Sequence, residues 1–303
     1  MSMSASGSSD DTVAARSGIL LIVVGLSIAA FTGALMKTLT SDLSPLLIGW
    51  FRFTGAFLVL VPFALVRAGR RAFRPPRIGI QILRGVFLVV GNLSFMTGVQ
   101  YLDFADAIAI LYVYPFLVTL MAPMILGEKV SLIGWLGVTG GFGGVLLVMR
   151  PEFRNFDVSA LFILFTGFLV SLQMLLNRKL GVLSDPAVIS MWGSLIAALV
   201  LLLALPFSWQ PVTAEQLSIL GLMAVASAIG QTLIILALSR APASELAPFT
   251  YAEIVAAVVI GFMMFGTLPD TLSWSGIALI VFSGIVVARA QAGRTVLRRQ
   301  PKI

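Results

Sequence analysis

An all-α integral membrane protein, with ten transmembrane helices arranged as two inverted five-helix repeats, is the fold class this sequence predicts. Three observations predict it. The composition is too apolar for a water-exposed surface: 59 % of the 303 residues are hydrophobic and 11 % charged, where a soluble domain carries about 25 % charged residues. Ten apolar stretches of span length follow one another along the chain. Lys and Arg crowd into alternate connections between them. A crossing helix takes about 20 apolar residues, so ten spans occupy about 200 positions and leave short loops.

The first residues, MSMSASGSSDDTVAARS, are polar and Ser-rich. They lack the basic start and short apolar stretch of a cleaved signal peptide. Residues 1–17 are expected to form a disordered cytoplasmic tail, 18–150 the first repeat, 151–290 the second, and 291–303 a basic cytoplasmic tail. Within the repeats the apolar segments run Gly18–Met36, Pro45–Val66, Ile78–Gln100, Leu102–Leu126, Ser131–Met149, Val158–Asn177, Ala187–Phe207, Gln216–Leu238, Ser244–Gly266 and Ser273–Ala288. They are too long for barrel strands and lack sustained alternation. In hydrocarbon only intrahelical bonding or a closed barrel satisfies the backbone, so they are helices.

Charge placement orients the bundle. With the N-terminus inside, fifteen of the twenty Lys and Arg residues are cytoplasmic, Lys37, Arg150 and Arg154 are outside, and Arg52 and Arg84 fall within spans. That bias follows the positive-inside rule and puts both termini in the cytoplasm. The formal charge of +7 therefore reads as a topology and lipid-headgroup signal, and nucleic acid is not an expected partner. Without Cys or His the chain has no disulfide, thiolate or imidazole metal site, His-dependent triad or haem ligand. No cofactor and no metal are expected.

An internal repeat is legible. Shifting the chain by 139 residues superposes Gly91 on Gly230, Asn92 on Gln231, Asp106 on Glu245, Tyr112 on Tyr251, Trp135 on Trp274 and Gly137 on Gly276. Nearer the N-terminus the offset is 142 and pairs Gly25 with Gly167, Lys37 with Lys179 and Trp50 with Trp192. Five spans per copy is an odd number, so the second copy starts from the opposite side of the membrane. Inverted repeats of this kind are a hallmark of transporters, because exchanging the conformations of the two halves interconverts inward and outward states. Duplicated folds also occur in channels and membrane enzymes.

The run from Leu83 to Arg150 resembles the EamA family of the drug/metabolite transporter superfamily. The resemblance rests on Leu83–Gly85, the sequence YLDFADA from Tyr101 to Ala107, Pro115 inside the fourth span, Gly127-Glu128-Lys129, and the Gly-rich stretch Gly134–Val148 ending in Met149-Arg150-Pro151. The second copy keeps Arg240–Glu245, Gly266 and Gly276–Gly284 but lacks the Gly-Glu-Lys turn. The resemblance implies ten spans, a central cavity lined mainly by spans 1, 3, 4, 6, 8 and 9, and usually export of small metabolites. Bacterial members of the family include amino-acid exporters, some for aromatic amino acids, and carriers of other metabolites.

Charged groups inside a span are costly and are functional candidates by default. Arg52 could pair with an acid or hold a substrate carboxylate. Its aromatic neighbours, and the peripheral place of span 2 in the resembling fold, favour a structural, interfacial role. Arg84 near the start of span 3 is likewise expected to snorkel. Asp106 and Glu245, repeat-matched, begin spans 4 and 9, where a helix dipole stabilises a carboxylate and where alternating gate contacts are conceivable. Glu253 falls about nine residues into span 9, too deep for a cap, and is the candidate for a proton- or ammonium-binding carboxylate. Asn92, Gln173 and Gln231 are read either as interhelical hydrogen-bonding residues or as substrate contacts. Tyr112 and Tyr251 suit an aromatic wall with a hydroxyl, and Pro115 and Pro248 are candidate flex points for gating.

The expected function is a secondary transporter in a bacterial-type inner membrane. Its substrates are amino acids or similar small metabolites, and its halves alternate access. A carrier of nucleosides, amines or sugars is the alternative, followed by an integral membrane enzyme or a passive channel. The partners are a small-molecule substrate and membrane lipid, and the sequence sets no oligomeric state, a monomer being compatible with it.

Overall fold

The computed structural model describes residues 6–75, 77–126, 132–149, 158–181, 185–240 and 246–299. Among them there is no strand. The helices are α1 (Ser6–Leu39), α2 (Pro45–Ala68), α3 (Ile78–Val99), α4 (Phe104–Leu111), α5 (Tyr114–Leu126), α6 (Leu132–Met149), α7 (Val158–Gly181), α8 (Pro186–Ala204), α9 (Ala214–Arg240), α10 (Ala252–Phe265) and α11 (Thr271–Arg299). Eight apolar stretches are long enough to cross a membrane, the fourth of them, Phe104–Ile125, being α4 and α5 in series. Two shorter apolar stretches, Phe249–Phe265 and Thr271–Val287, supply the ninth and tenth. The hydropathy boundaries therefore hold to within a few residues. The difference lies at the chain ends, where α1 reaches back to Ser6 and α11 on to Arg299. No Pro interrupts either extension.

Local chemistry sets the starts. Ser44 accepts a hydrogen bond from the Leu47 N–H at 3.3 Å ahead of Pro45, and Asp185 accepts from the Ala187 N–H at 2.8 Å ahead of Pro186. The second span of each half thus begins with an N-cap and a proline, whose missing N–H costs nothing there. Thr213 and Gln216 exchange side-chain to backbone bonds at 3.2 and 3.0 Å, a capping box for α9. Gly266 ends α10 in the left-handed region, with φ at 69°, where a Cβ is unfavourable.

The connections alternate between two ends of the bundle. At one end Gln100 donates to the Thr40 carbonyl at 2.8 Å, the Ser44 N–H donates to Gln210 at 3.0 Å, and Ser273 Oγ donates to Asp106 at 3.0 Å. These bonds tie together the connections 1–2, 3–4, 7–8 and 9–10; this is the Lys37 end. At the other end Arg67 pairs with Asp185 at 2.9 Å and Trp192 Nε1 donates to the Ala72 carbonyl at 2.8 Å. That end carries connections 2–3 and 6–7.

Packing follows a pattern of exchange between the halves. Span 1 lies on spans 8 and 9, and span 6 lies on spans 3 and 4. Span 2 lies on spans 7 and 8, and span 7 on spans 2 and 3, while spans 5 and 10 pack on each other. Small residues permit the closest crossings. A Cβ on Gly144 would meet the Gly276 carbonyl oxygen at 2.7 Å, and one on Gly276 would meet that of Gly144 at 2.6 Å. Gly25 and Gly230 approach in the same reciprocal manner at 3.1 Å. The glycines of span 5 thus serve helix contact, as small-xxx-small spacing leads one to expect.

Candidate substrate site

Span 4 is interrupted near its middle, and the described part of span 9 opens with a 3₁₀ segment. Pro115 cannot donate to a preceding turn, so span 4 stops at Leu111 and restarts at Tyr114 with Pro115 in its first turn. In span 9 a 3₁₀ segment, Ala247–Tyr251, carries Pro248 in its first turn and gives way to α10 at Ala252. The two segments face each other. The rings of Tyr112 and Tyr251 lie 5.4 Å apart, and Tyr114 lies 5.4 Å from Tyr112. Tyr112 is completely buried and Tyr251 nearly so.

The Tyr112 hydroxyl stands 2.8 Å from Glu253 Oε2 and 2.6 Å from the Thr250 carbonyl oxygen. One phenolic hydrogen thus has two acceptors within reach. Glu253 is in the first turn of α10. The 3₁₀ segment runs directly into α10, where the Ala252 N–H donates to the Phe249 and Thr250 carbonyls, so Glu253 follows a change of helix type.

Arg52 enters from span 2. Its side chain is half-buried and its Cζ lies 5.6 Å from the Phe53 ring, while Nη1 reaches Met36 Sδ at 3.5 Å. Arg52 and Glu253 interact electrostatically but form no ion pair. Arg84 takes another course. It is 4 % exposed and donates through Nη1 to Gln81 at 2.8 Å and to the Ile189 carbonyl at 2.7 Å. It bridges spans 3 and 7 inside the protein instead of snorkelling, because Gly193 leaves room: a Cβ there would stand 3.0 Å from Nη1.

The other predicted residues are distributed elsewhere. Asn92 is 7 % exposed, with both amide atoms lacking a hydrogen-bond partner, beside Gly49 of span 2. Gln231 is exposed and reaches Ser190 Oγ at 3.5 Å. Gln173 is half-buried and has no hydrogen bond to the tyrosine group among the described residues. Asp106 sits in the first turn of α4, bonded to Ser273, and lines a cavity of about 270 Å³ at the Lys37 end together with Asp103 and Asp270. Glu245 lies outside the described residues. The structure thus brings Tyr112, Tyr251 and Glu253 together and adds Tyr114 and Arg52, while Asn92, Gln173 and Gln231 form no hydrogen bond to this group.

One further residue had passed as a topology marker. Lys37 donates to the Leu102 carbonyl oxygen and stands 5.1 Å over the Phe265 ring, joining the ends of spans 1 and 9 to the connection 3–4. Its match with Lys179 in the repeat was the available signal.

Among the described residues the chain is an all-helical, polytopic membrane protein with a tyrosine–carboxylate group where spans 4 and 9 meet. The chain is a member of the EamA-like transporter family, whose model matches residues 16–150 and again 158–289. It is 22 % identical to the S-adenosylmethionine uptake transporter of Rickettsia prowazekii (strain Madrid E), over 87 % of this chain and 90 % of that protein. It is 29 % identical to the riboflavin transporter of Vibrio cholerae over 75 % and 77 %, and 25 % identical to the pseudopaline exporter of Pseudomonas aeruginosa over 92 % and 98 %. A solved crystal structure shares the fold, with TM-score 0.62 at 19 % identity over 93 % of this chain and 99 % of the other.

Proposed function

We propose that this protein is a secondary transporter of a bacterial inner membrane that exports amino acids, aromatic ones included, or similar small metabolites. Substrate enters a central site from the cytoplasm, and two inverted five-helix halves exchange conformations around it. The observation that carries this reading is the contact between Tyr112 and Tyr251. These residues occupy matched positions in the repeat, sit at the interruption of span 4 and in the 3₁₀ segment of span 9, and touch. A two-fold axis in the membrane plane relating the halves would pass between them. The packing agrees with such an axis. Exchange of halves turns the 1·8 contact into the 6·3 contact and the 2·8 contact into 7·3, and leaves 2·7, 4·9 and 5·10 as they are. Interrupted helices at the interface between repeats are where transporters of this build hold substrate.

Glu253 is the carboxylate that takes up a proton or a substrate ammonium group, and Pro115 and Pro248 mark the segments that flex. Asp106 acts at the outer mouth and Glu245 at the inner one. The Lys and Arg bias supports the orientation, with both termini in the cytoplasm. The named relatives include carriers for uptake and for export. The riboflavin transporter in particular favours a second reading, a carrier of a larger aromatic metabolite.

Uptake into liposomes holding the purified protein tests the proposal. Labelled amino acids and riboflavin are offered with and without a proton gradient. Saturable, competed uptake of amino acids, reduced at least tenfold by Glu253→Gln in folded protein, is expected. Saturable uptake of riboflavin alone selects the second reading, and unsaturable conductance contradicts both.

A further inference from the structure

Two opposite charges in the centre of this bundle are each left short of a partner. The Arg52 guanidinium has five N–H donors in a fixed fork. Among the described residues the acceptor it reaches is the Met36 thioether at 3.5 Å, a weak one. A guanidinium inside a span ordinarily has an acid or carbonyls to compensate it, and Arg84 shows that this fold can supply them. Met36, which Arg52 reaches, packs in one core cluster with Tyr112 and Tyr251, and the acid acting on Arg52 is Glu253, which forms no ion pair with it and is bonded to Tyr112 instead. Both side chains keep partial exposure.

Tyr112 makes the carboxylate releasable. Its hydroxyl has a second acceptor at 2.6 Å, the Thr250 carbonyl oxygen, so it can leave Glu253 and still donate a hydrogen bond. An incoming ammonium can then occupy Oε2 without stranding a buried donor. On the other side, a carboxylate matches the forked donors of Arg52 in bidentate fashion.

We propose that Arg52 and Glu253 together form a zwitterion site, which takes an α-amino acid with its carboxylate on Arg52 and its ammonium on Glu253. The side chain of the ligand lies toward Tyr112, Tyr114 and Tyr251. The inference rests on the carrier reading and narrows it. It makes Arg52 a substrate ligand instead of a structural charge, and it requires both charges on the ligand.

Thermal stabilisation of the purified full-length protein is the test, since a ligand of the folded state raises Tm. The probes are the proteinogenic L-amino acids, their methyl esters, and the corresponding acids without the amino group. At least one amino acid is expected to raise Tm, while its ester and its deaminated acid do not. Arg52→Met and Glu253→Gln are each expected to lose that rise, with an unliganded Tm close to that of the parent, and Arg52→Lys to recover part of it. An equal rise with the ester or the deaminated acid overturns the inference, as does an undiminished rise in Arg52→Met. If no amino acid raises Tm but riboflavin does, the zwitterion site falls and the carrier reading stands. If no probe raises Tm and none is taken up by liposomes, both fall.

Discussion

Arg84 and Arg52 are two guanidinium groups inside membrane spans, and their surroundings differ. Arg84 is sealed between spans 3 and 7, with a side-chain amide and a main-chain carbonyl as acceptors and a glycine opposite to make room. Arg52 reaches a thioether and feels a carboxylate with which it forms no ion pair. Both lie at similar depth from a span end, so depth alone does not separate a strut from a ligand-binding group. Contacts and exposure do. Arg84 holds two helices together through Nη1 although its Nε is buried without a partner, whereas Arg52 is half-buried and its group is left for something that enters.

Substitutions sharpen that contrast, and the largest effect belongs to the strut. Arg84→Met leaves the Ile189 carbonyl and Gln81 without their donor and removes a polar link between spans 3 and 7. A loss of about 2 kcal/mol is expected, read from thermal unfolding in detergent, with an unchanged half-saturation in whatever protein remains folded. Tyr112→Phe comes next, removing one hydrogen bond at the site for about 1 kcal/mol while raising the half-saturation for substrate several-fold in liposome uptake. Arg52→Met costs less stability, under about 1 kcal/mol, because the acceptor it gives up is a sulfur atom, yet it abolishes uptake. A stability loss for Arg52→Met as large as that for Arg84→Met would erase the distinction between the two. The smallest change is expected from Asn92→Leu. Both of its amide atoms are buried without partners, so an apolar side chain of similar size is neutral or stabilising by up to about 1 kcal/mol. Lost uptake at intact stability would return Asn92 to the site.

Much of the architecture is legible in the chain because hydropathy and the backbone's need for internal bonding leave little choice in lipid. Ile78, where α3 begins, Pro45 of α2 and Val158 of α7 coincide with the sequence boundaries. The tyrosine pair was visible through the repeat, and Pro115 and Pro248 announced trouble in their spans. What stayed hidden depends on contacts between residues far apart in the chain. The main-chain acceptor and the space for Arg84 come from Ile189 and Gly193, more than a hundred residues away. The change of helix type just before Glu253 stayed hidden, because span 9 reads in the sequence as one continuous helix from Ser244, whereas a 3₁₀ segment precedes Ala252. Asn92 and Gln231 matched in register, but span rotation places one against Gly49 and leaves the other exposed.

The central claim is that the Tyr112–Glu253 group is reached in turn from both sides of the membrane. The chain contains no cysteine, so a single Ala256→Cys, one turn beyond Glu253 on α10, gives a clean label site. Its reaction with a membrane-impermeant thiol reagent is measured in oriented vesicles, from each side and with and without substrate. Labelling from both sides, with proportions that shift when substrate is added, is the predicted result. Labelling from one side only, unaffected by any substrate the protein carries, would contradict the account.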